Sequence, residues 1–136
     1  MHAGFDFPGV RYPGMCQATR AGDWITVSGQ LAFKDGKLVG VGDAHAQALQ
    51  CFSNLSTALA LAAATLADVV KLTCYLTDIR AYAGYAAIKS TLFMSNPPTG
   101  TAVIVAGLLV PEALIEVEAL AYTGKTQTIA AGPTTG

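Results

Sequence analysis

Hydrophobic and polar positions alternate from Trp24 onward. Trp24, Thr26, Ser28 and Gln30 fall on one side of an extended segment, and Ile25, Val27, Gly29 and Leu31 on the other, which predicts a strand over Trp24–Leu31. Ala21, Gly22 and Asp23 read as a turn before it, so Met15–Arg20 is the expected hairpin partner. Residues 34–37 (KDGK) form a second polar turn. The period then changes. Asp43 is a candidate N-cap, and His45, Leu49, Phe52, Leu55, Leu59, Ala62 and Leu66 recur at three or four residues as the stripe of a long helix, helped by alanine-rich sequence up to Ala67. Val69–Leu76 is β-branched and predicts a strand; Thr77 and Asp78 then cap a second helix over about Ile79–Phe93. Residues 96–100 (NPPTG) must be a loop, since neither proline fits a helix interior or a central strand.

Thr101–Ala106 is expected to be a strand with apolar side chains on both faces, and residues 107–112 a connection holding Pro111. The last strand, Leu114–Tyr122, alternates cleanly: Ile115, Val117, Ala119 and Ala121 on one face, Leu114, Glu116, Glu118, Leu120 and Tyr122 on the other. Residues 1–12 are read as an irregular start and residues 125–136 as a flexible tail. The order β-β-α-β-α-β-β predicts one α+β domain, a two-layer sandwich of a mixed sheet with two helices on one face. Two helices cover one face only. The other would expose an apolar patch that monomers avoid, so it is expected to be buried by further copies of the chain.

Composition sharpens this picture. Charged residues make up 12 % of the chain, about half the usual share, while 52 % are hydrophobic. A net charge of −1 with scattered Lys and Arg argues against a nucleic-acid or membrane-surface role. The longest apolar stretch, Leu55–Val70, is interrupted by polar residues and falls short of the ~20 residues a bilayer needs. With no targeting segment visible, a soluble cytoplasmic protein with reduced thiols is expected.

Glu116 and Glu118 are the first candidates for chemistry. They share the uncovered face, and burial there would raise a carboxylate pKa toward neutrality, giving a proton carrier; a wet rim or a pair with Lys or Arg is the bland alternative. Cys51 and Cys74 read as packing residues, whereas Cys16, near a turn, could line a site. His45 on the helical stripe is expected to pack or hydrogen-bond; with His2 it forms no cluster that would hold a metal. No phosphate-binding glycine loop is present. Gly29 inside a strand marks a bulge or a close approach, and the proline loop ends where a pocket could be lined.

Three segments together resemble one known family. Residues 17–30 (QATRAGDWITVSGQ), 68–78 (DVVKLTCYLTD) and 111–121 (PEALIEVEALA) are similar to the RidA/YjgF family, and the likeness runs in order over roughly residues 12–124. The resemblance implies a chorismate-mutase-like fold, a homotrimer with a central β-barrel, and small-molecule clefts between subunits. It also implies hydrolysis of enamines and imines such as 2-aminoacrylate, with no cofactor or metal. Matched position by position, the family's cleft arginine corresponds to Thr101, its cleft tyrosine to Met15, a frequent cysteine to Val103 and a helix asparagine to Ala86. Ser28, Gly29 and Glu118, the last placed to activate or orient water, are retained. This points to an arginine-lacking branch with a more apolar cleft lined by Met15, Val103 and Cys16. Losing a charge-assisted grip weakens carboxylate binding by about 10-fold to 100-fold, so 2-aminoacrylate-type acids are expected to be poor substrates and a neutral ligand a better one. The alternatives are a non-catalytic trimeric binding module and, against the charge balance, a ribonuclease or translation inhibitor.

Overall fold

The computed structural model describes residues 1–125; the flexible tail expected over 125–136 lies, from residue 126 on, outside the described residues. The elements run β1 (Ala3–Phe5), β2 (Ala18–Ala21), β3 (Trp24–Gln30), β4 (Phe33–Lys34), β5 (Lys37–Leu38), α1 (Ala44–Leu61), β6 (Val69–Leu76), α2 (Tyr82–Leu92), β7 (Thr99–Ile104) and β8 (Ile115–Tyr122). Short 3-10 turns precede β6 and α2. The main sheet has the order β1-β2-β3-β8-β6-β7, with β4 and β5 a separate hairpin. Every pair in the main sheet is antiparallel except β6 with β7. The mixed sheet with two helices expected from the pattern is therefore observed.

The core lies between one face of this sheet and the helices. Ile25, Val27, Leu72, Cys74, Leu76, Ile115 and Val117 pack against Phe52, Leu55, Leu59 and Tyr85, with Phe52 stacked on the Tyr85 ring at 5.7 Å. Asp43 caps α1 by accepting from Ala46 N–H. Arg20 closes the other end: its guanidinium donates to the carbonyl of the C-cap Ala62, one of the groups a helix terminus leaves without partners, and to that of Ala63 just beyond it. Gly84 lets α2 lie against the first turn of α1, since a Cβ there would stand 2.7 Å from His45 N.

Several expectations need correction. The start of the chain is not wholly irregular, because β1 pairs with β2 and extends the sheet by one strand. The stripe of α1 is rotated: Gln47, Ala48, Cys51 and Ala58 are buried with Phe52, Leu55 and Leu59, while His45 and Leu49 are exposed. Small residues fill the space under the helix, so leucine periodicity misplaces its inner face. The helix stops at Leu61, where Ala63 takes a left-handed φ of 59°, rather than running to Leu66. Asp78 caps the 3-10 turn Ile79–Ala81, and α2 starts only at Tyr82. Strand β7 begins at Thr99, so Thr99 and Gly100 belong to the strand and not to the loop.

The face opposite the helices is uncovered in the chain. Trp24 is 47 % exposed there, and every residue of the edge strand β7 is exposed.

Candidate functional site

Strand β3 carries an irregularity that organises the open face. Val27 pairs with Ala119 but Gln30 pairs with Val117, so Ser28 and Gly29 together stand opposite Glu118 alone. This is a β-bulge. The extra residue inverts the alternation, and Gln30, expected beside Trp24 and Thr26, turns into the core. Buried polar contacts hold the bulge: Gln30 Nε2 donates to Gln17 Oε1 at 2.8 Å and to Ser28 O at 3.1 Å. Ser28 N–H donates to Gln17 O, and Ser28 Oγ to Cys16 O at 2.7 Å. Unpaired buried amides are costly, so these bonds fix one geometry.

Strand β8 brings Glu116 and Glu118 to the same face, two residues apart, and their carboxylates part company. Glu118 Oε1 accepts from the Tyr75 hydroxyl of β6 at 2.5 Å. The side chain of Glu116 bends over Gly29, where a Cβ would overlap Oε1 and stand 2.9 Å from Cδ. Only glycine leaves room for it. Burial, and secondly the nearby Glu118, push the Glu116 pKa up from the ordinary carboxylate value. The hydrogen bond to Glu118 in turn raises that of Tyr75. The arrangement sets one carboxyl with a raised pKa beside a second that is held by a phenol. Such a pair can donate and accept a proton at one place.

The other candidates are distributed around this pair. Thr101 lies in one row with Thr73 and Glu118, and Val103 in one row with Tyr75 and Glu116. Both stand on β7, two strands away from the glutamates and about 14 Å from the bulge at the usual strand spacing. Cys16 is half-buried; its carbonyl holds Ser28, and its thiol donates to Ala18 O. Met15 is 47 % exposed and bridges to Tyr12 near that end. One chain thus brings Gly29 against Glu116 directly, with Ser28 beside it in the bulge, and does not bring Thr101 or Val103 to them. That Glu116, and not Glu118, bends over Gly29 was not legible from strand parity, which treats the two glutamates alike. Tyr75, also missed, gave no signal beyond its alternation in β6.

Cys51 and Cys74 are buried, and desolvation raises both thiols, Cys74 to about 12. They are inert as nucleophiles at neutral pH. No helix among the described residues is long and apolar enough to cross a membrane.

Comparison with known proteins decides the family. The family described as Endoribonuclease L-PSP matches residues 12–123 of this chain. The chain belongs to that family, known also as YjgF or RidA. A RutC family protein of Pyrococcus horikoshii is 35 % identical over 108 residues, covering 78 % of this chain and 84 % of the relative. Among solved structures, a YjgF-family protein of Mycobacterium tuberculosis superposes with a TM-score of 0.79 at 29 % identity, covering 90 % of this chain and all of that one. RidA of an Antarctic Psychrobacter gives 0.75 at 30 % identity, with 84 % and 92 % covered. The matched segment contains the bulge, both glutamates and β7, so each lies on the family's shared scaffold.

Proposed function

We propose that the chain hydrolyses an imine or enamine of a small carbonyl compound on its open sheet face, with Glu116 as the proton carrier. The observation that carries this reading is the Glu116 carboxyl seated over the Gly29 bulge with a raised pKa. One water adds to the imine carbon, the carbon–nitrogen bond breaks, and the nitrogen leaves as ammonia. The carbon keeps the oxygen of that water as its carbonyl, so one imine and one water give one carbonyl compound and one ammonia. One group must take a proton from water and one must give a proton to nitrogen. A carboxyl can do both in turn, a contribution of about 10²–10⁴-fold for a positioned general acid–base group. Glu118, fixed by Tyr75, orients the water or stabilises the charged intermediate.

The exposed β7 and Trp24 support closure of this face by further copies, a homotrimer whose seam would bring Thr101 and Val103 of one subunit toward the glutamates of another. Such a seam would exclude water and form the small-molecule cleft. The polar end of the ligand beside Thr101 meets a neutral hydroxyl in place of a guanidinium, so acids of the 2-aminoacrylate type are poor substrates at that position. Three unpaired cysteines among the described residues suit a reducing, cytoplasmic setting.

Ammonia release from a 2-imino acid, measured for the wild type and for Thr101→Arg, tests the reading. The expected result is slow turnover in the wild type and at least tenfold faster turnover in the variant. Equal rates in both would remove Thr101 from the ligand site, and no ammonia from either, with neutral imines also inert, would leave a binding module.

A further inference from the structure

Tyr75 occupies the middle of the open face. Its strand, β6, lies between β8, which carries the glutamates, and the edge strand β7. In the register Tyr75 is directly opposite Glu116, and Thr73 directly opposite Glu118. Side chains so placed on antiparallel strands start about 4.5–5.5 Å apart at Cβ. The Tyr75 hydroxyl nevertheless leans along the sheet and donates to Glu118 Oε1 at 2.5 Å. Glu116 bends the other way, over Gly29. Tyr75 and Glu116, partners in one row, are thus turned to different neighbours.

The direction of the Tyr75 bond fixes what the phenol can still do. A neutral phenol has one O–H and two lone pairs on its oxygen. The hydrogen bond to Glu118 is the largest of the effects that raise the Tyr75 pKa, followed by burial and by the charges of Glu118 and Glu116, so the proton stays on the oxygen. That single hydrogen is given to Glu118. Among the described residues no hydrogen-bond donor reaches the lone pairs that remain, and the residue is only half-buried. Toward a ligand this oxygen is an acceptor and nothing else. No cation is committed to the glutamates either, since the single ion pair among the described residues joins Arg80 and Asp78.

An imine nitrogen that still carries hydrogen matches this arrangement. It has one N–H and one lone pair on the same atom. The N–H can be given to Tyr75 Oη, and the lone pair can take a proton from Glu116. The carbonyl oxygen of the product has no hydrogen to give and would set its lone pairs against those of Tyr75. A neutral imine with an alkyl group on nitrogen has no hydrogen at that place either.

We propose that Tyr75 is a specificity-determining residue of the open-face site, its hydroxyl oxygen accepting from the ligand N–H and so selecting N-unsubstituted imines over the carbonyl product and over N-alkyl imines. The identity of the substrate rests on the hydrolytic reading. The preference for N–H over oxygen does not, and it is measured without turnover.

Pyrrole and furan have the same flat ring shape and are both neutral, but one presents an N–H and the other an oxygen. Neither can be hydrolysed to ammonia by the chemistry of the site. Their dissociation constants on the full chain are measured by ligand-detected NMR. Pyrrole is expected to bind at least about tenfold more tightly, the ratio that one made hydrogen bond supplies against one acceptor left unpaired. Tyr75→Phe leaves room for a water that gives one hydrogen to Glu118 and the other to furan, so the ratio should fall to near one. Glu118→Gln lets the phenol accept from the amide and turn its own hydrogen outward, so the ratio should fall there too. Equal affinities in the wild type, an undiminished ratio in either variant, or no saturable binding of pyrrole would overturn the proposal. A protein that shows the ratio, and its loss in the variants, yet releases ammonia from no imine would remove the hydrolytic reading and leave the N–H preference standing.

Discussion

Replacing Gly29 with alanine separates placement of the Glu116 carboxyl from stability of the fold. The new Cβ would overlap Glu116 Oε1 and stand 2.9 Å from Cδ and 3.2 Å from Cγ. Carbon atoms rest about 3.5–4.0 Å apart, so the carboxyl group must retreat by roughly 1 Å. Gly29 is not among the left-handed glycines, so alanine meets no backbone strain there. The displaced atoms are the end of a flexible side chain, and an off-rotamer torsion costs about 0.5–1.5 kcal/mol. Catalysis is far less tolerant, since misplacing a reacting group by 1 Å can cost about 100-fold. The expected outcome is a drop in kcat for imine hydrolysis of about 100-fold with a thermal midpoint lowered by only a few degrees. Ammonia release and calorimetry on one preparation give both numbers. Wild-type kcat in the folded variant would refute the placement of Glu116 as the reacting group.

Two further outcomes follow from polar side chains, one buried and one half-buried. Gln47 donates to the carbonyls of Gly40 and Glu112 and accepts from Leu114 N–H, all from a fully buried side chain. Gln47→Ala strands three backbone groups and should cost about 2–4 kcal/mol in denaturant unfolding; a loss below about 1 kcal/mol would contradict this role. Glu116 has a pKa raised above its unfolded value, so the native chain binds that proton more tightly. Stability should therefore fall as pH rises from the ordinary carboxylate range through the raised value, then level off. Glu116→Gln should lack that slope, and identical pH profiles for both proteins would show that the carboxyl titrates normally.

The residues reveal this fold unevenly. Strands β6 and β8 are legible because β-branched residues and strict alternation agree, and β8 shows both glutamates on one side. Strand β1 is hidden by the Pro8–Gly9 punctuation that follows it, although three residues suffice to pair along an edge. Parity fails at β3, where one inserted residue sends Gln30 into the core; Gly29 is the only local sign of it. The inner face of α1 is misread because Ala48, Ala58 and Gln47 point inward while Leu49 does not. The family is readable from three motifs, yet the division of labour between Glu116 and Glu118 depends on Gly29 and Tyr75, which lie on two different strands. Position along the chain carries no record of those contacts.

The measurement that bears most directly on the account is single-turnover ammonia release by Glu116→Gln and Glu118→Gln beside the wild type, at saturating imine. Glu116→Gln is expected to lose about 10²–10⁴-fold, the range of a general acid–base group, with the fold intact. Glu118→Gln keeps the Tyr75 contact as a neutral hydrogen bond and should lose less. A Glu116→Gln protein that releases ammonia at the wild-type rate would contradict the assignment of the proton carrier.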